Sequence, residues 1–127
     1  MIDQPSQIVA VVDDDEAVLD SFRFMLELAG FPVAAYPSAQ AYLSAGAARP
    51  RCLIVDHHMP AMTGLDLAAK LRADGIDVPV MLVTAAPSAA IRARAAAVGV
   101  KGVLEKPIDE DEVIAFIRSC DRGPVIN

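Results

Sequence analysis

"IVAVVDDDEAVLDSF", residues 8–22, sets a run of five apolar residues directly before three aspartates and a glutamate. The run does not alternate with polar residues, which is the pattern of a strand covered on both faces. Beyond the acids, Val18, Phe22, Met25, Leu26 and Ala29 recur at helical spacing. A buried strand passing through a polar joint into an amphipathic helix is the opening of a strand-helix-strand unit. Like charges repel, and no Lys or Arg lies between residues 8 and 22. The acids at the joint therefore need a neutralising partner from elsewhere.

The same alternation runs outward along the chain. Further apolar, β-branched runs stand at "FPVAAY" (31–36), "RCLIVD" (51–56), "VPVMLVT" (78–84) and "VKGVLE" (100–105). Leu67, Ala68 and Leu71, then Ile91, Ala95 and Val98, keep helical spacing between them. Gly30, Gly75 and Gly99 follow the expected helix ends, and Ser38, Ser88 and Asp109 stand where N-caps belong. Asp109 and Glu112 have capping-box spacing, and Asp15 with Glu16 reads as a helix N-terminus, where negative charge is favourable. Five such units predict an open, doubly wound α/β fold, because parallel neighbours need right-handed helical crossovers.

Composition agrees with one domain. The chain has 127 residues, 54% of them hydrophobic, enough for a packed core. The expected division is a domain over residues 1–120 and a short tail, "DRGPVIN", over 121–127. No tract of about 18 apolar residues and no secretory start is present, so a soluble, cytoplasmic protein without membrane contact is expected. Cys52 and Cys120 lack metal-type spacing and read as reduced structural thiols. A net charge of -6 argues against a nucleic-acid surface.

In a sheet of this kind ligands bind beyond the carboxyl ends of the strands. Asp13 and Asp14 follow the first strand, Asp56 ends the third, Thr84 ends the fourth and Lys106 follows the fifth. All five therefore belong to one rim. Three carboxylates brought together raise one another's pKa unless a cation neutralises them, and all-oxygen ligation suits Mg²⁺, which also pairs with phosphate. Lys106 adds a second positive charge and Thr84 a hydroxyl donor, an arrangement fitted to a transferring phosphoryl group with one carboxylate as nucleophile.

"VVDDDEAV", "LIVDHHMPAMTGLDL", "MLVTA" and "VLEKPID", in this order, resemble the receiver domain of bacterial response regulators, nearest to receivers linked to transcription factors. The resemblance runs from about residue 7 to 119. It implies a flavodoxin-like, five-stranded parallel sheet in the order 2-1-3-4-5. It also implies that Asp56 takes a phosphoryl group from a sensor histidine kinase, with Mg²⁺ as cofactor. Asp14 then matches the direct metal ligand, Asp13 its partner, and His58 the position whose backbone carbonyl binds the metal. Thr84 matches the hydroxyl that moves toward the phosphoryl group, and Lys106 the lysine that contacts it, before a cis Lys106-Pro107 bond. Ala85 is small for phosphoryl access, and Gly64 closes the loop after Asp56 with a tight turn.

Signalling is then expected through the face formed by the fourth helix, fifth strand and fifth helix, toward a protein partner or a second copy. Val103 stands where the family usually has Tyr or Phe, so the usual aromatic reporter is missing. Met59 and Met62 read as loop packing, and Arg92 and Arg94 as solvated. The chain is expected to be a signalling phosphoacceptor rather than an enzyme, with at most self-phosphorylation and self-dephosphorylation. Two other readings stay open. An aspartate-dependent phosphohydrolase is suggested by Asp13-x-Asp15, although Ala17 lacks the expected Thr or Val and Asp56 goes unexplained. An interaction module that works without phosphorylation is the other.

Overall fold

The computed structural model describes residues 7–46 and 48–120. Strands and helices alternate strictly: β1 (Val9–Val12), α1 (Glu16–Leu28), β2 (Val33–Tyr36), α2 (Ala39–Ala45), β3 (Cys52–Asp56), α3 (Gly64–Ala73), β4 (Val80–Thr84), α4 (Ala89–Ala97), β5 (Gly102–Glu105) and α5 (Glu110–Ser119). The five strands form one sheet in the order β2-β1-β3-β4-β5, and all four pairings are parallel. The doubly wound fold expected from the apolar runs is the one observed. The tail over 121–127 lies outside the described residues.

The continuous apolar strands divide by alternate residues. Val9, Val11, Ile54 and Val83 face a layer made with Leu19, Phe22 and Leu26 of α1 and Val113, Phe116 and Ile117 of α5. Ala10, Val12, Leu53, Val55 and Leu82 face the other layer, with Leu65, Leu67, Ala68 and Leu71 of α3 and Ala95 of α4. β1, β3 and β4 are buried throughout, each large side chain contributing about 1.5–3 kcal/mol. β2 and β5, at the edges, are only partly covered. On α1 the fully buried stripe is Leu19, Phe22 and Leu26, with Val18, Met25 and Ala29 at its margin. The helix is therefore turned by about one residue from the expected face, so that Leu19 meets the sheet.

Strand starts are later than expected where local bonds claim the backbone. Phe31 N–H donates to Leu26 O at 2.9 Å, closing the end of α1, and β2 begins only after Pro32. Val100 N–H likewise donates to Ala95 O at 2.9 Å, so β5 starts at Gly102.

Asp15, Ser38, Ser88 and Asp109 cap their helices as expected. The Asp109–Glu112 box does not form: the Asp109 carboxylate accepts from Asp111 N–H, and Glu112 N–H goes to the Asp109 backbone carbonyl. Two carboxylates facing each other across a helix start would repel, and one neutral hydroxyl partner is missing. A reciprocal box stands instead at α3. There Asp66 N–H donates to the Thr63 hydroxyl and Thr63 N–H to the Asp66 carboxylate, both at 3.1 Å.

Cys52 and Cys120 are free thiols, and both touch the layer shared by α1 and α5. Cys120 Sγ donates to Phe116 O at 3.2 Å, and interaction between the two thiols pulls Cys120 below its ordinary range and pushes Cys52 far above it.

Candidate functional site

The parallel register brings the strand ends level. Val12 pairs with Val55, Asp56 with Val83 and Thr84 with Glu105, so Asp13, Asp56, Thr84 and Lys106 arrive at one edge of the sheet. Asp13, Asp56 and Thr84 are the buried polar residues among those described, at 2%, 4% and 0% exposure. The other polar residues described are at least partly exposed as residues, which marks these three as placed against the ordinary preference for burying apolar groups.

Asp13, Asp14 and Asp56 each present a carboxylate oxygen within 4.8 Å of the others, with Asp14 on the solvent side. Lys106 Nζ lies 2.9 Å from Asp56 Oδ1 and 3.7 Å from Asp13 Oδ2. Burial pushes the Asp13 carboxyl above its ordinary range, and the neighbouring Asp56 charge adds to the rise although Asp15 N–H and Lys106 oppose it. For Lys106, burial disfavours the ammonium, but contact with Asp56 and then with Asp13 more than offsets this and raises its pKa.

Asp56 Oδ1 is enclosed, with the Lys106 ammonium as counter-charge and no hydrogen bond of good geometry. One lysine against three carboxylates leaves the cluster short of positive charge. Three convergent oxygens, one of them open to water, fit a hard divalent cation that keeps part of its hydration shell, as Mg²⁺ does. The Lys106-Pro107 bond is cis, and Lys106 N–H donates to Thr84 O at 2.9 Å, which carries the lysine over the end of β4.

Gly64 is required for a reason other than the expected turn. Its φ is not positive; a Cβ there would lie 2.6 Å from Leu82 Cδ1 and 2.7 Å from the Asp56 carbonyl oxygen. The left-handed position in the loop belongs to Ala61, at φ 69°. Met59 is buried in the α3 layer and Met62 packs against it, as expected of loop packing. Val103 also packs there, partly buried, beside the residues of α4.

Two contacts go beyond the sequence reading. Arg94 is not merely solvated: its guanidinium donates to Asp66 Oδ1 at 2.9 Å and ties α4 to α3. The His58 ring lies against the fourth strand's end, with Nε2 3.0 Å from Thr84 Oγ1. His57 stacks edge-on to His58 at 5.1 Å between ring centroids, and burial followed by the neighbouring His58 charge lowers its pKa. No described helix is long and apolar enough to cross a membrane.

Comparison with known proteins agrees with this geometry. The sequence model described as "Response regulator receiver domain" matches residues 9–118. The transcriptional regulatory protein FixJ of Azorhizobium caulinodans is 38% identical over 112 residues, which are 87% of this chain and 53% of that protein. The crystal structure of FixJ-N superposes with a TM-score of 0.83 at 28% identity, covering 98% of this chain and all of that one. Full-length FixJ from B. japonicum gives the same TM-score at 32% identity, over 94% of this chain and 59% of that one. The chain thus spans about half the length of the curated relatives it matches. With a family match over nearly all of its described length and the sheet order and acidic rim already in place, this chain belongs to the response regulator receiver domain family.

Proposed function

We propose that Asp56 is the phosphoacceptor of this receiver, and that residues 1–120 form the unit that carries the reaction. The observation behind this reading is the enclosed Asp56 carboxylate, 2.9 Å from Lys106 and inside the three-aspartate cluster. A carboxylate oxygen of Asp56 attacks the phosphorus of a kinase phosphohistidine. The P–N bond breaks and the imidazole leaves with the electron pair, taking a proton from solvent. Lys106 remains beside Asp56 and offsets the charge that the phosphoryl oxygens bring. The Thr84 hydroxyl, one strand across, supplies a hydrogen-bond donor to those oxygens. Asp13, Asp14 and Asp56, with the His58 backbone carbonyl, would hold Mg²⁺, which supplies charge neutralisation for the phosphoryl oxygens.

The same groups support self-phosphorylation from a small acyl phosphate and slow self-dephosphorylation. Output in this reading runs through the face of α4, β5 and α5 to a protein partner or a second copy, in the cytoplasm. As in the transcriptional regulators it resembles, the receiver would govern a linked output domain. Incubation with acetyl phosphate and Mg²⁺ is expected to add one phosphoryl group, seen by intact mass. Asp56→Asn is expected to abolish the addition, and excess chelator to suppress it. Labelling that survives the substitution, or is equal in chelator, overturns the assignment; a wild type that takes no label leaves the phosphorylation-independent module.

A further inference from the structure

We infer that His58 is a positioning residue: its imidazole Nε2 holds the Thr84 hydroxyl proton in the unphosphorylated state and competes for it with the phosphoryl group. The inference rests on the reading of Asp56 as phosphoacceptor and adds a partner to Thr84 that this reading does not contain.

A threonine hydroxyl has one proton to give and two lone pairs to receive. Ala86 N–H donates to Thr84 Oγ1 at 3.2 Å, which uses one lone pair. Thr84 is 0% exposed, so water does not take the proton. The imidazole Nε2 at 3.0 Å is the side-chain atom placed to accept it. With a proton on Nε2, two donors would point at Oγ1 while its own O–H went unpaired in a dry site, the arrangement buried groups avoid. His58 is therefore the Nδ1–H tautomer, and because the residue as a whole is exposed, water is at hand for the remaining ring N–H.

Backbone bonds fix the base of this contact. His57 N–H donates to Val83 O at 2.9 Å, so the residue before His58 is pinned to the residue before Thr84. Met59 N–H and Gly64 N–H both donate to His57 O, at 3.1 and 3.2 Å, and hold the loop in place. One proton cannot serve two acceptors. For Thr84 to bond a phosphoryl oxygen it must release Nε2, and His58 thereby sets part of the cost of switching.

The test uses beryllofluoride with Mg²⁺ as the phosphoryl analogue, on the whole chain. His58→Ala keeps the backbone carbonyl and is expected to bind the analogue about 3- to 10-fold more tightly than wild type, the worth of one net hydrogen bond. His58→Gln, which keeps an acceptor at similar reach, is expected to return affinity to within about 2-fold of wild type. In a Thr84→Ala background, His58→Ala is expected to have no effect, the signature of a contact made through that hydroxyl.

Imidazole nitrogen shifts of the neutral ring are expected to show the Nδ1–H form and to change when the analogue binds. Unchanged or weaker binding by His58→Ala, or an Nε2–H tautomer, overturns the inference while the acceptor reading stands. Failure of the wild type to bind the analogue removes the acceptor reading, and the competition with it.

Discussion

Asp66 and Asp13 are both aspartates beside a cation, and the protein treats them in opposite ways. The Asp66 side chain is 42% exposed at the start of α3, while the Asp13 side chain is 3% exposed at the end of β1. The bond from Arg94, and after it the bonds from Thr63, hold the Asp66 carboxyl below its ordinary value. Burial drives Asp13 the other way. Thr63 and Asp66 satisfy one another and Arg94 completes the set, whereas Asp13, Asp14 and Asp56 share one lysine. The first cluster stabilises the isolated chain by its own bonds. The second is destabilising until a charge arrives from outside, which is the condition expected of a site rather than of a scaffold.

The largest test of that contrast is Asp13→Asn. Without added metal the variant is expected to melt higher than wild type, because a buried charge has gone. Saturating Mg²⁺ at about 100 times its dissociation constant is expected to stabilise wild type by about 2.7 kcal/mol and the variant by much less, read from thermal unfolding. Equal gains in both proteins would break the comparison.

Gly64→Ala probes where the two clusters meet, since α3 begins against the backbone of Asp56. The added methyl must displace Leu82 or the Asp56 carbonyl, at an expected loss of about 1–3 kcal/mol in urea unfolding. The phosphoryl yield from acetyl phosphate is expected to fall with it. A loss of stability with full yield would show that Asp56 tolerates the shift.

Arg94→Ala carries the smallest expected effect, a few tenths of a kcal/mol (roughly 0.2–1), because the pair is exposed and screened. Its pH dependence is the sharper reading. Asp66 has a folded pKa below its ordinary 3.8, so the stability it contributes is present above 3.8 and is lost as pH falls through the folded value. The difference between wild type and variant is therefore expected near neutral pH and to vanish in stronger acid. A difference that persists there would mean that Arg94 acts through packing.

Much of this was legible in order. Five apolar runs separated by caps and glycines specify alternating parallel strands and helices, because a strand buried on both faces needs helices on both. Asp13, Asp56, Thr84 and Lys106 could be assigned to one rim for the same reason. The motifs around them marked the family. The loop "MPAMTGLD" was the harder stretch: Gly64 looked like a turn residue, while the capping pair Thr63 and Asp66 went unrecognised on either side of it. Threonine three residues before an acid at the head of an apolar run is the signal that would have found it.

By itself, the sequence determined the element order, the doubly wound class and the identity of the rim residues, all of which follow from local periodicity and from which residues end each strand. Tertiary structure alone decided the contacts across elements. Asp66 and Arg94 are 28 residues apart and His58 and Thr84 are 26 apart, and each pair meets because neighbouring elements are brought side by side by the crossovers. The rotation of α1 that buries Leu19 and the close approach that demands Gly64 have the same origin. A chain's periodicity sets which face is apolar to within about one residue, but only packed neighbours decide which atoms touch.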